Sequence, residues 1–280
     1  MAAVTEADPG TRRRRRLIAL VVAWIVVLAG LVWWSVRNDP PTVPEQRTIA
    51  DALPVLERAT GALMAAATGD DRAVELGDLR VSRDCSVTPV RRGIEAARTV
   101  TVYVPADRAL PVLKEIAAAL PAHFRAEAGA SSGGRRVGLH ADAGGFVAID
   151  AGADAGTQVF QLVARTGCRP LDGGADVSPA DPPAPSTPPS LRTALAALGG
   201  AGQARLREVA CPDGGTARTY TVDGVRAPRD LGRSLQPAVE GATVVRAEPA
   251  GWAYLAGTDS VVVVKDGDAL RVSSTTACSQ

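Results

Sequence analysis

Histidine is almost missing from these 280 residues: there are two, His123 and His140. Neither stands in an H-E-x-x-H pattern, and no Ser-x-x-Lys, Walker or EF-hand pattern occurs in the chain. The familiar signatures of zinc proteases, phosphate loops and calcium loops are therefore absent from the sequence. Lysine is as scarce, with Lys114 and Lys265 alone, and Asn38 is the one asparagine. The 31 basic residues are nearly all arginine, and 30 acidic ones hold the formal charge at +1. No basic excess points to nucleic acid, and residues 37–280 carry a net −2, which speaks against capture of a polyanion. The abundance of Ala, Gly, Val and Pro fits the coding bias of a high-G+C bacterium. Aromatic side chains make up 4%, so aliphatic residues must fill most of any core.

One long apolar run breaks this pattern. Five arginines, Arg12 to Arg16, precede an uncharged stretch from Leu17 to Val36 that ends in Trp33-Trp34-Ser35-Val36. Twenty helical residues span about 30 Å, the thickness of a bilayer's hydrocarbon core. Tryptophans favour the interface, and the arginines favour the cytoplasmic side. A cleaved signal has a shorter apolar run, of about 7–15 residues, and a small-residue cleavage site. We therefore expect residues 1–16 as a cytoplasmic tail and 17–36 as an uncleaved single span in the lipid bilayer. A Pro-rich spacer over 37–47 would follow, with the rest of the chain outside the cytoplasm.

That remainder is written twice. "ARTVTV" at 97–102 returns as "ARTYTV" at 217–222, and the landmarks around it return in the same order. "LRVSRDC" ends at Cys85 and "LREVAC" at Cys211; "RAE" recurs at 125–127 and 246–248; "VARTGC" ends at Cys168 and "VSSTTAC" at Cys278. The sequence thus implies two tandem repeats, 48–168 and 190–280, joined by a Pro-rich linker at 169–189. In each, an amphipathic helix, two strands, a second helix and three or four strands follow one another. The fold class expected is α+β: an α-β-β-α-β-β-β domain with an antiparallel sheet covered by helices on one face. Its other face stays wet or open to a partner. Among the details, Pro54 marks the start or a kink of the first helix, Asp107 caps the second, Ser190 caps the helix opening the second copy, and Asp266-Gly267 turns a hairpin.

Four cysteines allow three pairings, and the repeat selects Cys85–Cys168 with Cys211–Cys278. No two lie at the close C-x₂₋₄-C spacing of a zinc site, so structural disulfides in an exported protein are preferred to a four-cysteine metal site.

Candidate chemistry is sparse. "GASSG" at 129–133 matches G-x-S-x-G around Ser131, but a nucleophile elbow needs a helix directly after it, and here a Gly/Ser-rich loop and a strand follow. His140 and Asp142 share a strand face, yet nothing supplies the further ligands a metal shared with His123 would need. We expect no catalytic centre, no metal and no cofactor. Two sets of residues are candidates for binding. Trp252 and Tyr254, at i and i+2, could stack on a sugar ring, although filling the core is the preferred reading. Arg98 and Arg125, matching Arg218 and Arg246, could form equivalent anion-binding spots. The competing reading pairs Arg125 with Glu127 and Arg246 with Glu248.

The arginine tail, single span, spacer and cysteine-bearing domain, with "RTVTVYV" after "RVSRDC", resemble membrane-anchored proteins of actinobacteria that carry no assigned activity. The resemblance spans the whole chain and implies no site residue. It fits a non-enzymatic protein of the cell envelope that binds a protein partner or envelope component. The alternatives are a small-ligand or lipid carrier or sensor, for which a deep apolar cavity would speak, and a cell-wall or peptide hydrolase.

Overall fold

The computed structural model of the chain describes residues 9–38, 47–170, 177 and 182–279. The tail before Pro9, most of the expected spacer and much of the expected linker lie outside them. The chain divides into two units, Met1–Thr42 and Val43–Gln280. In the first, helix α1 (Pro9–Asn38) carries the arginine block and the apolar run without a break. Its segment Leu17–Trp34 has a mean hydropathy of 2.6 and none of it is buried. By length and composition it can cross a bilayer.

The second unit holds both repeats. The first comprises α2 (Ile49–Ala67), β1 (Ala73–Thr88), β2 (Arg91–Tyr103), α3 (Ala109–Ala119), β3 (Glu127–Ser131), β4 (Arg136–Asp142), β5 (Ala148–Asp154) and β6 (Val159–Arg165). The second comprises α4 (Pro189–Ala197), β7 (Arg205–Ala210), β8 (Thr216–Arg226), α5 (Leu231–Val239), β9 (Thr243–Glu248), β10 (Gly251–Ala256), β11 (Asp259–Asp266) and β12 (Ala269–Ser279). The sheet orders are β1-β2-β6-β5-β4-β3 and β7-β8-β12-β11-β10-β9, so the two copies share one topology. Every pairing is antiparallel. Four strands, the upper of the two numbers expected, follow the second helix. The one that composition conceals is β3, Glu-Ala-Gly-Ala-Ser, whose small residues have little strand propensity and which pairing with β4 holds in place.

Local chemistry explains the helix ends, not always as expected. Thr48 caps α2 through a reciprocal capping box with Asp51. Pro54 lies inside that helix, where its missing N–H leaves the exposed Ala50 carbonyl to solvent. Asp107 does not cap α3: it takes φ 62°, and Arg108 occupies the cap without a side-chain bond. Ser190 sits inside α4 rather than before it; its hydroxyl donates to Asp259 at 2.7 Å and lies 2.8 Å from the Ser274 hydroxyl. Gly199, with φ 63°, ends α4, and Gly267, with φ 62°, turns the β11–β12 hairpin as expected.

Helices α2 and α3 bury Ile49, Leu56, Leu63, Leu113 and Ile116 against the first sheet, and α4 and α5 bury Leu191, Leu195, Leu231 and Leu235 against the second. Each such side chain contributes roughly 2 kcal/mol when fully buried. The disulfides are Cys85–Cys168 and Cys211–Cys278, with Cα–Cα distances of 5.8 and 5.9 Å. They tie the first hairpin of each repeat to the end of its last strand.

Candidate functional site

The repeated hexapeptide leads to the junction between the copies. In β8 the residues Thr219 and Thr221 point away from the helices, and they are 0% and 1% exposed. What covers them is β1, the edge strand of the first sheet. An edge strand presents backbone N–H groups with no partner strand. Here the Val74 N–H donates to the Ser260 hydroxyl at 3.0 Å, and the Leu76 N–H donates to the Thr219 hydroxyl at 3.1 Å. Thr219 lies 2.8 Å from Thr275 across the sheet, and Ser260 stands opposite Thr275 in register. The second sheet's helix-free face therefore does not stay wet; it is the first repeat's docking surface.

Apolar and charged groups complete this seam. Ala73 and Tyr103 of the first repeat pack with Val245, Ala253, Leu255 and Val262 of the second. Glu75, 5% exposed, accepts from the Tyr103 hydroxyl and from Arg271, each at 3.3 Å. Burial first, and the Glu75 charge second, push the Tyr103 phenol far above its usual range. Arg207 pairs with Asp78 and donates to Thr221 at 2.8 Å. On the helix side, α2 crosses to the second copy so closely that a Cβ on Gly61 would stand 1.9 Å from the Ala210 carbonyl oxygen. Val209, Cys211 and Ala217 consequently belong to the first repeat's core.

The same positions in the first copy have a different fate. Strand register places Thr99 opposite Val163 and Asp150 opposite Val163, as Thr219 and Ser260 stand opposite Thr275. Thr99 and Asp150 thus match Thr219 and Ser260, and Thr101 matches Thr221. Yet Thr99, Thr101 and Asp150 are only half-buried, and His140, Gln161 and Arg165 beside them are exposed. Polar groups on this open face meet one another: His140 Nδ1 lies 2.8 Å from Asp150, Arg165 lies 3.6 Å from the same carboxylate, and Arg136 lies 3.6 Å from Asp154. Thr99, Thr101 and Gln161 meet Asp78, Arg207 and Arg271 in a polar notch where the open face runs into the seam.

A second concavity of about 400 Å³ lies on the helix side. Val55, Ala59, Ala62, Phe124, Ala143 and Cys211 supply its apolar lining, with the exposed Arg58 and His123 among the polar groups.

The candidates singled out in the sequence fall in several places. Tyr254 is 1% exposed in the second core, and burial pushes its hydroxyl up to about 12. Trp252 packs at the edge of that core, over Gly232 of α5. Arg98 is 7% exposed and donates to Glu57 of α2 at 2.8 Å, whereas Arg218 pairs across strands with Glu208 at 3.4 Å. Arg125 and Arg246 are not structural equivalents. "RAE" leads into β3 in the first copy and closes β9 in the second. Arg125 takes a left-handed φ of 49° and pairs with Asp142 instead of Glu127, while Arg246 does pair with Glu248. His123 packs edge-on against Phe124, away from the His140–Asp150 pair. Ser131 ends β3 and is followed by a hairpin turn and β4, so no helix follows it as a nucleophile elbow requires. Among the described residues, no group of three or more His, Cys, Asp or Glu could hold a metal ion.

Sequence reasoning missed the seam residues Glu75, Asp78, Arg207 and Arg271. One signal was available: the unbroken run Val261-Val262-Val263-Val264 marks a strand buried on both faces rather than one. Comparison of the chain with protein-family models, curated proteins and solved structures gives no match.

Proposed function

We propose that the protein is a membrane-anchored, non-enzymatic binding protein of the bacterial cell envelope, and that the open face of its first sheet engages a protein partner. The observation that carries this reading is the unequal use of one motif. In the second copy the threonine face holds a strand edge, with its amides capped by hydroxyls. In the first copy Thr99, Thr101 and Asp150 offer acceptors at the matching positions, and no strand of this chain covers them among the described residues. A strand edge of a partner fits that face by the same chemistry. The apolar run of α1, the arginines that precede that run and the two disulfides support attachment to the membrane with residues 37–280 outside the cytoplasm.

Photo-crosslinking in intact cells from benzoylphenylalanine at Gln161 tests the partner. One envelope protein captured from that position, and not from the exposed Arg233 of α5 on the second repeat's helix side, supports the reading. Turnover of a peptidoglycan or peptide substrate by the purified protein, abolished by one point substitution, would overturn it. A C-terminal reporter active only in the cytoplasm would end the location. The concavity beside α2 favours a second reading, carriage of a small apolar ligand. Native mass spectrometry should then find a bound molecule that Ala59→Trp expels.

A further inference from the structure

The first hairpin of the first repeat is longer than its counterpart. Thirteen positions separate Cys85 from Arg98, against seven between Cys211 and Arg218. The extra residues project beyond a clamp. Cys85 pairs with Gly93 in the β1–β2 ladder, and the disulfide from Cys168 crosses so close that a Cβ on Gly93 would stand 2.5 Å from the Cys168 sulfur. Backbone bonds from Ile94 to Arg169 at 2.9 Å and back at 2.8 Å fix the same neck. The hairpin is thus held firmly at its base, by a bond that survives only outside a reducing compartment.

Beyond the clamp lies Ser-Val-Thr-Pro-Val-Arg-Arg. Val90 at the apex is 96% exposed, the highest value among the exposed large apolar side chains, those of the membrane-type segment included. Arg91 and Arg92 follow it directly, Arg83 stands just behind the Cys85–Gly93 pair, and all three are exposed. No acidic residue lies beyond the clamp; Asp84, just behind it, pairs with Arg92 at 3.5 Å, while Arg83 and Arg91 make no ion pair among the described residues. The tip thus presents an aliphatic apex with arginines beside and behind it. It matches the boundary between anionic headgroups and acyl chains, where an aliphatic group inserts and guanidiniums meet phosphates.

We propose that this tip rests on the surface of an anionic bilayer, Val90 inserted and Arg83 and Arg91 on lipid phosphates, giving the ectodomain a second, reversible membrane contact. This rests on membrane attachment through Leu17–Trp34, which brings a bilayer to the tip at high local concentration.

The test uses the full chain reconstituted in nanodiscs of phosphatidylglycerol or of phosphatidylcholine. Benzoylphenylalanine is placed at Val90, at Val26 in the apolar helix, or at Asp268 on the opposite repeat, and lipid adducts are counted by mass spectrometry. Adducts at Val90 should exceed those at Asp268 and be several-fold higher in phosphatidylglycerol. Arg83→Gln and Arg91→Gln should each lower them roughly fivefold. Adducts at Val26 but not at Val90 would refute the tip contact and leave the anchor standing. A Val90 yield that ignores lipid charge, or that goes chiefly to protein, would also refute it. Adducts at neither position would remove the anchor and this inference together.

Discussion

Replacing Thr219 by valine keeps shape and volume and deletes one hydroxyl, at a site that is 0% exposed. The Leu76 N–H, equally buried, then has no acceptor, and Thr275 loses its 2.8 Å partner. A buried amide left unmade costs about 1–3 kcal/mol, and the added methyl offsets little of it. We expect a loss of about 2 kcal/mol, which for a unit of this size lowers Tm by roughly 4–8 °C. The decisive comparison is Thr99→Val, the same motif position in the other copy. Its side chain faces the open sheet, so the loss should stay within about 0.5 kcal/mol. Both variants are compared with the parent by denaturant unfolding of proteins whose disulfides are verified by mass. Equal losses at the two threonines, or no loss at Thr219, would refute the seam as drawn.

Three further outcomes follow from the same geometry. Gly61→Ala forces α2 off the Ala210 carbonyl; overpacking of about 1–3 kcal/mol should outweigh the gain in helix propensity of about 1 kcal/mol, and Tm should fall. Removing the first disulfide by Cys85→Ser with Cys168→Ser frees a closure of 83 positions and should lower stability by about 4–5 kcal/mol in the chain-entropy model, measured by the same unfolding assay. Tyr254 is raised in the folded state to about 12, so its contribution is intact below pH 10 and is lost as pH rises toward 12. Stability should fall by up to about 1.4 kcal/mol per pH unit across that window, and Tyr254→Phe should remove the dependence due to this residue.

Much of the fold was legible because duplication supplies its own control. The paired cysteines, the helix faces and the strand order each appear twice, and either copy predicts the other. The "RAE" match misled for a physical reason. Three residues are too few to distinguish the start of β3 from the end of β9, and the longer passage from α3 to β3 shifts the register. The seam was illegible because "ARTVTV" and "ARTYTV" alternate identically. A threonine facing water and one facing a strand edge leave the same local pattern. Only the valine run of β11 hinted that the second copy is covered twice. Asp107 looked like a helix cap because residue type alone does not reveal a left-handed backbone.

With the first copy's edge strand docked on the second copy's hydroxyl face, the two copies should unfold as one cooperative body. Hydrogen exchange of the full chain in nanodiscs, followed by mass spectrometry across a denaturant series, tests it directly. Peptides from α2 and β1 in the first repeat and from β8 and β11 in the second should lose protection at the same denaturant concentration, and Thr219→Val should shift all four together. Loss of protection in one repeat while the other stays protected would contradict it.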